Sequence, residues 1–186
     1  MGAAVPQAII PTGLEEPTVT DAEYHESHRV SKECECLMNR MWRWDGWSIE
    51  ESPDRCRPTF AEREEYQDDF DSIITLVGGE QRRLEVKGRE NLSWTCEADY
   101  RYKTVIVDDV ESADRPEDED RPPLLAYWII SADRRYYCRV HCSTRPRWIV
   151  QKHTVNGRCK PFYHCPKELC QWGAITETGF QPWEEE

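Results

Sequence analysis

The chain has 186 residues, the length of one ordinary domain or of one domain with an extension. Its net charge of −12, from 36 acidic against 24 basic residues, opposes contact with phosphate backbones, so no nucleic-acid partner is expected. No apolar run reaches the length of a membrane span, and eight Trp, eight Tyr and four Phe must supply most of the core.

Residues 1–19 carry Pro6, Pro11, Gly13 and Pro17 with little periodicity and read as an extended arm. No secretory leader is visible in "MGAAVPQAII", which suits a cytosolic protein or a mature secreted one. Residues 20–186 read as a single disulfide-rich domain. Thr20 and Glu23 form a capping box, and Val30, Cys34, Leu37, Met38 and Met41 follow at helical spacing, so a helix is expected from about Asp21 to Met41. Trp42, Trp44 and Trp47 follow it and read as a seal on one end of the core. A second capping box, Thr59 to Glu62, predicts a short helix to about Phe70.

Beyond residue 71 the period changes to two. "SIITLV", "GGEQ" and "RRLEVK" predict a strand, a turn and a strand. In "SWTCEADYRYK" Trp94, Cys96, Ala98, Tyr100 and Tyr102 alternate with polar residues, which predicts a long half-buried strand. An acidic, proline-bearing loop over 108–123 follows. "LLAYWII", the turn "SADRR" and "YYCRVHC" predict a hairpin, with "RWIVQK" as its neighbour. Helices first and an antiparallel meander after them give an α+β class, dominated by β-structure in a curved sheet or barrel and stapled by disulfides.

The nine cysteines are Cys34, Cys36, Cys56, Cys96, Cys138, Cys142, Cys159, Cys165 and Cys170. Zinc wants two close pairs of ligands, and the nearest set, Cys138, Cys142, Cys159 and Cys165 with His141 and His164, lacks the C-x2-C spacing. Cysteines scattered over the whole chain suit staples of a secreted protein better. The odd count leaves one thiol that could link two chains. Asn91-Leu92-Ser93 is a glycosylation sequon. No H-E-x-x-H, G-x-S-x-G or phosphate-loop pattern occurs, His25 and His28 read as a solvated first turn, and no enzyme activity, cofactor or metal is expected.

"YWIISADRRYYCRVHC" followed by "RWIVQK", within 124–152, resembles the penultimate and last barrel strands of lipocalins. Ala132-Asp133 stands at the turn, Tyr136 supplies the family's tyrosine, Cys142 lies six residues on, and Lys152 is the basic residue of the last strand. The resemblance implies a secreted carrier that holds a small hydrophobic or amphipathic ligand in an aromatic-lined barrel, with Trp94, Tyr100, Tyr102, Tyr136 and Trp148 on inward faces. The alternatives are a secreted protein-binding module, an inhibitor or immune modulator acting on a host or partner protein through its surface, and an intracellular zinc protein.

Overall fold

The computed structural model describes residues 20–44, 46–51, 59, 71–117, 122–155 and 158–182. The element order is α1 (Asp21–Trp44), β1 (Ser48–Glu51), β2 (Ser72–Thr75), β3 (Gln81–Gly88), β4 (Thr104–Asp109), α2 (Val110–Ala113), β5 (Leu124–Ile130) and β6 (Tyr136–His141). It continues with β7 (Ile149–Val155), β8 (Arg158–Pro166), β9 (Gln171–Thr176) and β10 (Gly179–Pro182). The chain is β-dominated, and its larger sheet is a curled half-barrel of seven strands in the order β1-β2-β3-β5-β6-β9-β10. A smaller sheet, β4-β8-β7, covers part of it.

Helix α1 begins where the capping box places it. Glu23 N–H donates to Thr20 Oγ1 at 3.2 Å, and Thr20 N–H donates to Glu23 Oε2 at 2.9 Å. Val30, Cys34, Met38 and Trp42 recur every four residues and are all buried, so this stripe defines the face turned to the sheet. It packs with Ile74, Leu84, Val86, Ala126, Trp128, Ile130 and Tyr137. The helix touches β1 and β10, the two edge strands, as well as β3 in between. The sheet is therefore wrapped about α1, and the concave side is filled by the chain's own helix. Gly88 permits the close approach, since a Cβ there would lie 2.9 Å from Cys34 Sγ. Trp42 meets Trp128 edge-on at 5.8 Å, and Trp47 packs against the same cluster.

The opposite face carries the second core. Tyr127 and Ile129 of β5, Cys138 and Val140 of β6 and Trp172 of β9 pack with Val105 and Val107 of β4 and Cys165 of β8. Strands of the large sheet are thus covered on both faces, so β5 shows five consecutive buried residues, Ala126 to Ile130. The β2–β3 hairpin turns through Gly78 and Gly79, whose φ values of 106° and 87° suit glycine alone.

Four expectations need correction. Residues 93–103 are not a strand: Asp99 Oδ2 accepts from Thr95 N–H at 2.9 Å and Tyr100 N–H donates to Glu97 O at 3.2 Å, so side-chain capping folds the segment into turns. The sheet is no simple meander, because β3 and β5 pair in parallel, with β4 crossing to the other layer between them. The neighbour of β6 is β9, while β7 pairs with β8 in the smaller sheet. The acidic stretch from 108 starts as structure: Asp108 and Asp109 end β4, Asp109 caps α2 by accepting from Ser112 N–H, and Asp114 binds Arg145 and Tyr163. The helix expected over 59–70 lies outside the described residues apart from Thr59.

Trp94 and Tyr100 are buried even though they sit in turns, and their rings meet Trp172 at centroid distances of 6.0 and 5.1 Å. Trp94→Ala should therefore cost about 3–5 kcal/mol. Arg101→Ala, at an exposed position, should change stability by less than about 0.5 kcal/mol. Urea unfolding of the two variants checks both; equal losses would show that the turn, not the ring, sets the stability.

Candidate functional site

Strand β3 alternates Leu84, Val86 and Gly88 toward α1 with Arg83, Glu85 and Lys87 on the other side. A strand covered on both faces should be apolar on both. Here one face is charged, and its charges meet others. Glu85 is opposite Tyr127 in the parallel register, and its carboxylate lies 3.6 Å from Arg83 and 3.8 Å from Lys87. Lys87 Nζ in turn lies 3.7 Å from Asp108 of β4.

Asp71 connects this group to the helix side. It stands directly before β2, and its Oδ2 accepts from Val86 N–H at 2.5 Å, continuing the β2–β3 ladder with a side chain in place of a carbonyl. Its carboxylate also hydrogen-bonds Glu85. On α1, Ser31, Glu35 and Asn39 form the flank beside the buried stripe. Asn39 Oδ1 accepts from Ser72 Oγ at 2.6 Å, which fixes the helix against the start of β2. Glu35 is thereby buried close to Asp71, with Lys32 at 2.7 Å as its cation.

Asp71 thus neighbours Glu35 on the helix side and Glu85 on the other face of β3, with Lys32 and Lys87 at the two ends. Burial and the charge of Asp71 push Glu35 up to about 7, although Lys32 and Ser31 pull it down. Burial and Asp71 push Glu85 up to about 8, against Lys87 and Arg83. Burial also raises Asp71. For Lys87, burial works against the charged form, but Asp108, Glu85 and Asp71 outweigh it and raise its pKa, so it is a fixed ammonium. About a third of the Lys87 side chain is exposed, so the cluster meets solvent at that end. Carboxyl groups brought together out of water raise one another's pKa, an arrangement found in active centres and in structural ion-pair networks alike. Among the described residues no three His, Cys, Asp or Glu side chains stand as a metal-ligand set.

The residues expected to line a ligand cup are elsewhere. Trp94 and Tyr100 belong to the second core, with Tyr136 and Trp148 packed partly buried against it. Tyr102 is 47% exposed, its ring edge-on to Tyr100 and under the Arg101 guanidinium. Asn91 is exposed in a bend. The eight described cysteines are thiols, with no sulfur pair at bonding distance among them; Cys56 lies outside the described residues. No helix among the described residues is long and apolar enough to cross a membrane.

None of the charged cluster was singled out by motif. The signal available was "RRLEVKGR", where Glu85 and Lys87 alternate with Leu84 and Val86 in a strand too apolar on one side to be an edge. No family model, curated protein or solved structure matches the chain.

The two glutamates keep their protons to higher pH in the folded chain than in the unfolded one. The native state therefore binds more protons from about pH 4.5, the ordinary glutamate value, up to about pH 8, and stability falls as pH rises through that window. Glu85→Gln should flatten the fall, making the variant relatively more stable at pH 8 than at pH 5. Urea unfolding at the two pH values decides it; a slope unchanged by the substitution would mean that Glu85 is ionised throughout.

Proposed function

We propose that the protein is a divalent-cation-dependent hydrolase of phosphodiesters, with its centre at Glu35, Asp71, Glu85 and Lys87. One observation carries the reading: three carboxyl groups converge from α1, the start of β2 and β3 beside an ammonium that stays charged. Carboxylate oxygens are hard donors and suit Mg2+ or Mn2+. Their mutual repulsion favours a cation, and ionising them in its presence would release the protons they now share. Lys32 and Lys87 offset only part of this repulsion, since both glutamates remain raised.

Asp71 is the most constrained of the three, because its carboxylate also serves the backbone of Val86. It would hold the cation together with Glu85, while Glu35 on the helix side tunes Asp71 from behind. A bound divalent ion would supply Lewis-acid charge at a phosphoryl oxygen. Lys87 faces the open end of the cluster, where a fixed ammonium stabilises the extra negative charge that develops when water attacks phosphorus. Tyr127, buried beneath Glu85, keeps its proton, since burial and the charges of Asp108 and Glu85 raise its pKa.

The net charge of −12 is an average over the chain. Along 81–89 the balance is reversed, with Arg82, Arg83, Lys87 and Arg89 against Glu85 alone. Glu80 and Glu90 flank the stretch, Arg82 pairs with Glu80 and Arg83 is buried against Glu85, so Lys87 is the cation left to draw a phosphate group to the cluster. This reading replaces the expectation that nucleic acid is excluded as a partner with the proposal that it is the substrate. A second reading, the carrier implied by the lipocalin resemblance, rests on a groove of about 460 Å³ lined by Cys96, Glu97, Ala98, Cys170, Gln171, Trp172 and Pro182; binding of a hydrophobic dye that is lost in Trp172→Ala would support it.

The test is cleavage of plasmid and linear DNA with Mg2+ or Mn2+. Cleavage should stop on chelation, and Asp71→Ala, Glu85→Ala and Lys87→Ala should each lower the rate by about 100-fold or more. Calorimetric titration of Mn2+ in two buffers of different ionisation enthalpy gives a readout apart from turnover, since binding should release protons. No cleavage together with no proton-linked Mn2+ binding would remove the proposal.

A further inference from the structure

Away from the charged cluster, at the corner where β8 leaves the small sheet and β9 enters the large one, three thiols meet. Cys170 Sγ is 3.7 Å from Cys165 Sγ, and Cys138 of β6 is a hydrogen-bonding neighbour of Cys170. All three belong to the second core. The turn Lys167–Leu169 between Cys165 and Cys170 is held from several sides. Cys170 N–H donates to Lys167 O at 3.1 Å, Lys167 N–H to Lys103 O at 3.1 Å, Lys167 Nζ to Glu97 O at 2.9 Å, and Trp172 Nε1–H to Lys167 O at 3.1 Å. Those bonds set the two sulfurs side by side without any help from the sulfurs.

Access is unequal. Cys165 is fully buried, whereas Cys170 lines the groove shared with Cys96, Glu97, Ala98, Gln171, Trp172 and Pro182. One thiol of the pair can therefore meet a small reagent while the other waits behind it.

We propose that Cys165 and Cys170 are a disulfide-forming pair, closed by exchange with a low-molecular-weight disulfide such as oxidised glutathione. Cys170, deprotonated at the groove, attacks one sulfur of the reagent; the reagent's S–S bond breaks, and one small thiolate leaves and takes up a proton. Cys165 then loses its proton and attacks the Cys170 sulfur of the mixed disulfide, expelling the second small thiol. Two protein thiols and one small disulfide give one protein disulfide and two small thiols, so electrons and protons balance. The sulfurs need only close from contact to about 2.05 Å. Formation is slow because both thiols ionise reluctantly: the hydrogen bond with Cys170 raises Cys165, and that with Cys138 raises Cys170. The same reluctance makes the closed bond hard to reduce, because the released dithiol gains nothing from a stabilised thiolate. The bond locks the corner between the two sheets and leaves Cys138 a buried thiol.

The folded full-length chain, incubated with oxidised glutathione, alkylated and digested with trypsin without reduction, gives a specific readout. Cleavage after Arg158 and Lys167 puts Cys165 in the peptide 159–167 and Cys170 in 168–186. These two peptides should be found joined, the link should persist in Cys159→Ser and Cys138→Ser, and it should vanish in Cys165→Ser. A full set of alkylated thiols after oxidation, or a link from 168–186 to the Cys138 peptide 136–139 in the unaltered chain, would overturn the assignment. Neither result bears on the charged cluster, so the two proposals stand or fall separately.

Discussion

The helix α1 inside the curled sheet is the constraint from which the rest follows. A half-barrel with an empty concave side would expose Ile74, Leu84, Val86, Ala126, Trp128 and Ile130 together, far more apolar surface than a domain of this size can leave wet. The stripe Val30, Cys34, Met38 and Trp42 covers it. Once that stripe faces the sheet, the rotation of the helix is fixed, because each residue turns by about 100°. Ser31, Glu35 and Asn39 must then fall along one flank, and Asn39 finds Ser72 there. Glu35 reaches Asp71 as a consequence of hydrophobic packing several residues away. The Asn39–Ser72 bond adds a polar tie between the same helix flank and the start of β2, beside Asp71.

Asp71 performs the complementary task in the plane of the sheet. By taking the Val86 N–H it stands where a strand residue would, between the face that holds α1 and the face that holds Glu85 and Lys87. It can therefore touch a carboxyl group on each side of the sheet, which no residue inside a regular strand can do, since side chains there point to one face only. That geometry couples Glu35 and Glu85 through a shared neighbour and raises both.

Much of the fold was legible because it rests on local periodicity. The capping box at Thr20, the helix that follows, the Gly78-Gly79 hairpin and the β5–β6 hairpin each rest on residues close in sequence. The false strand at 93–103 shows the limit of that signal. Trp94 and Tyr100 are inward and Arg101 and Lys103 outward, as alternation requires, yet the backbone turns between them, because Asp99 and Glu97 offer capping acceptors that compete with a ladder. Alternation placed Trp94 and Tyr100 correctly, but Ala98 and Tyr102, which it also put inward, are exposed. The parallel β3–β5 pairing was illegible for a different reason: its register joins Arg83 to Leu124 across an entire second layer, and no local pattern encodes such a contact. The charged cluster suffers from the same distance. Glu35, Asp71 and Glu85 are separated by 36 and 14 positions, and only the fold makes them neighbours.

The net charge of the chain does not by itself describe any one of its surfaces. Electrostatic attraction of a polyanion depends on the field at a particular surface, and charges more than about 10 Å away are largely screened at ordinary salt. The aspartates and glutamates of 108–120 dominate the sum, but Asp114 is engaged by Arg145 and Tyr163 at the far layer, and Asp108 by Lys87. At the open end of the cluster stands Lys87, about a third exposed, while Arg83 is buried against Glu85 and Arg82 pairs with Glu80. A cation held by Asp71 and Glu85, as proposed, would offset the local negative charge as well, so the ion would also turn the field beside Lys87 toward phosphate.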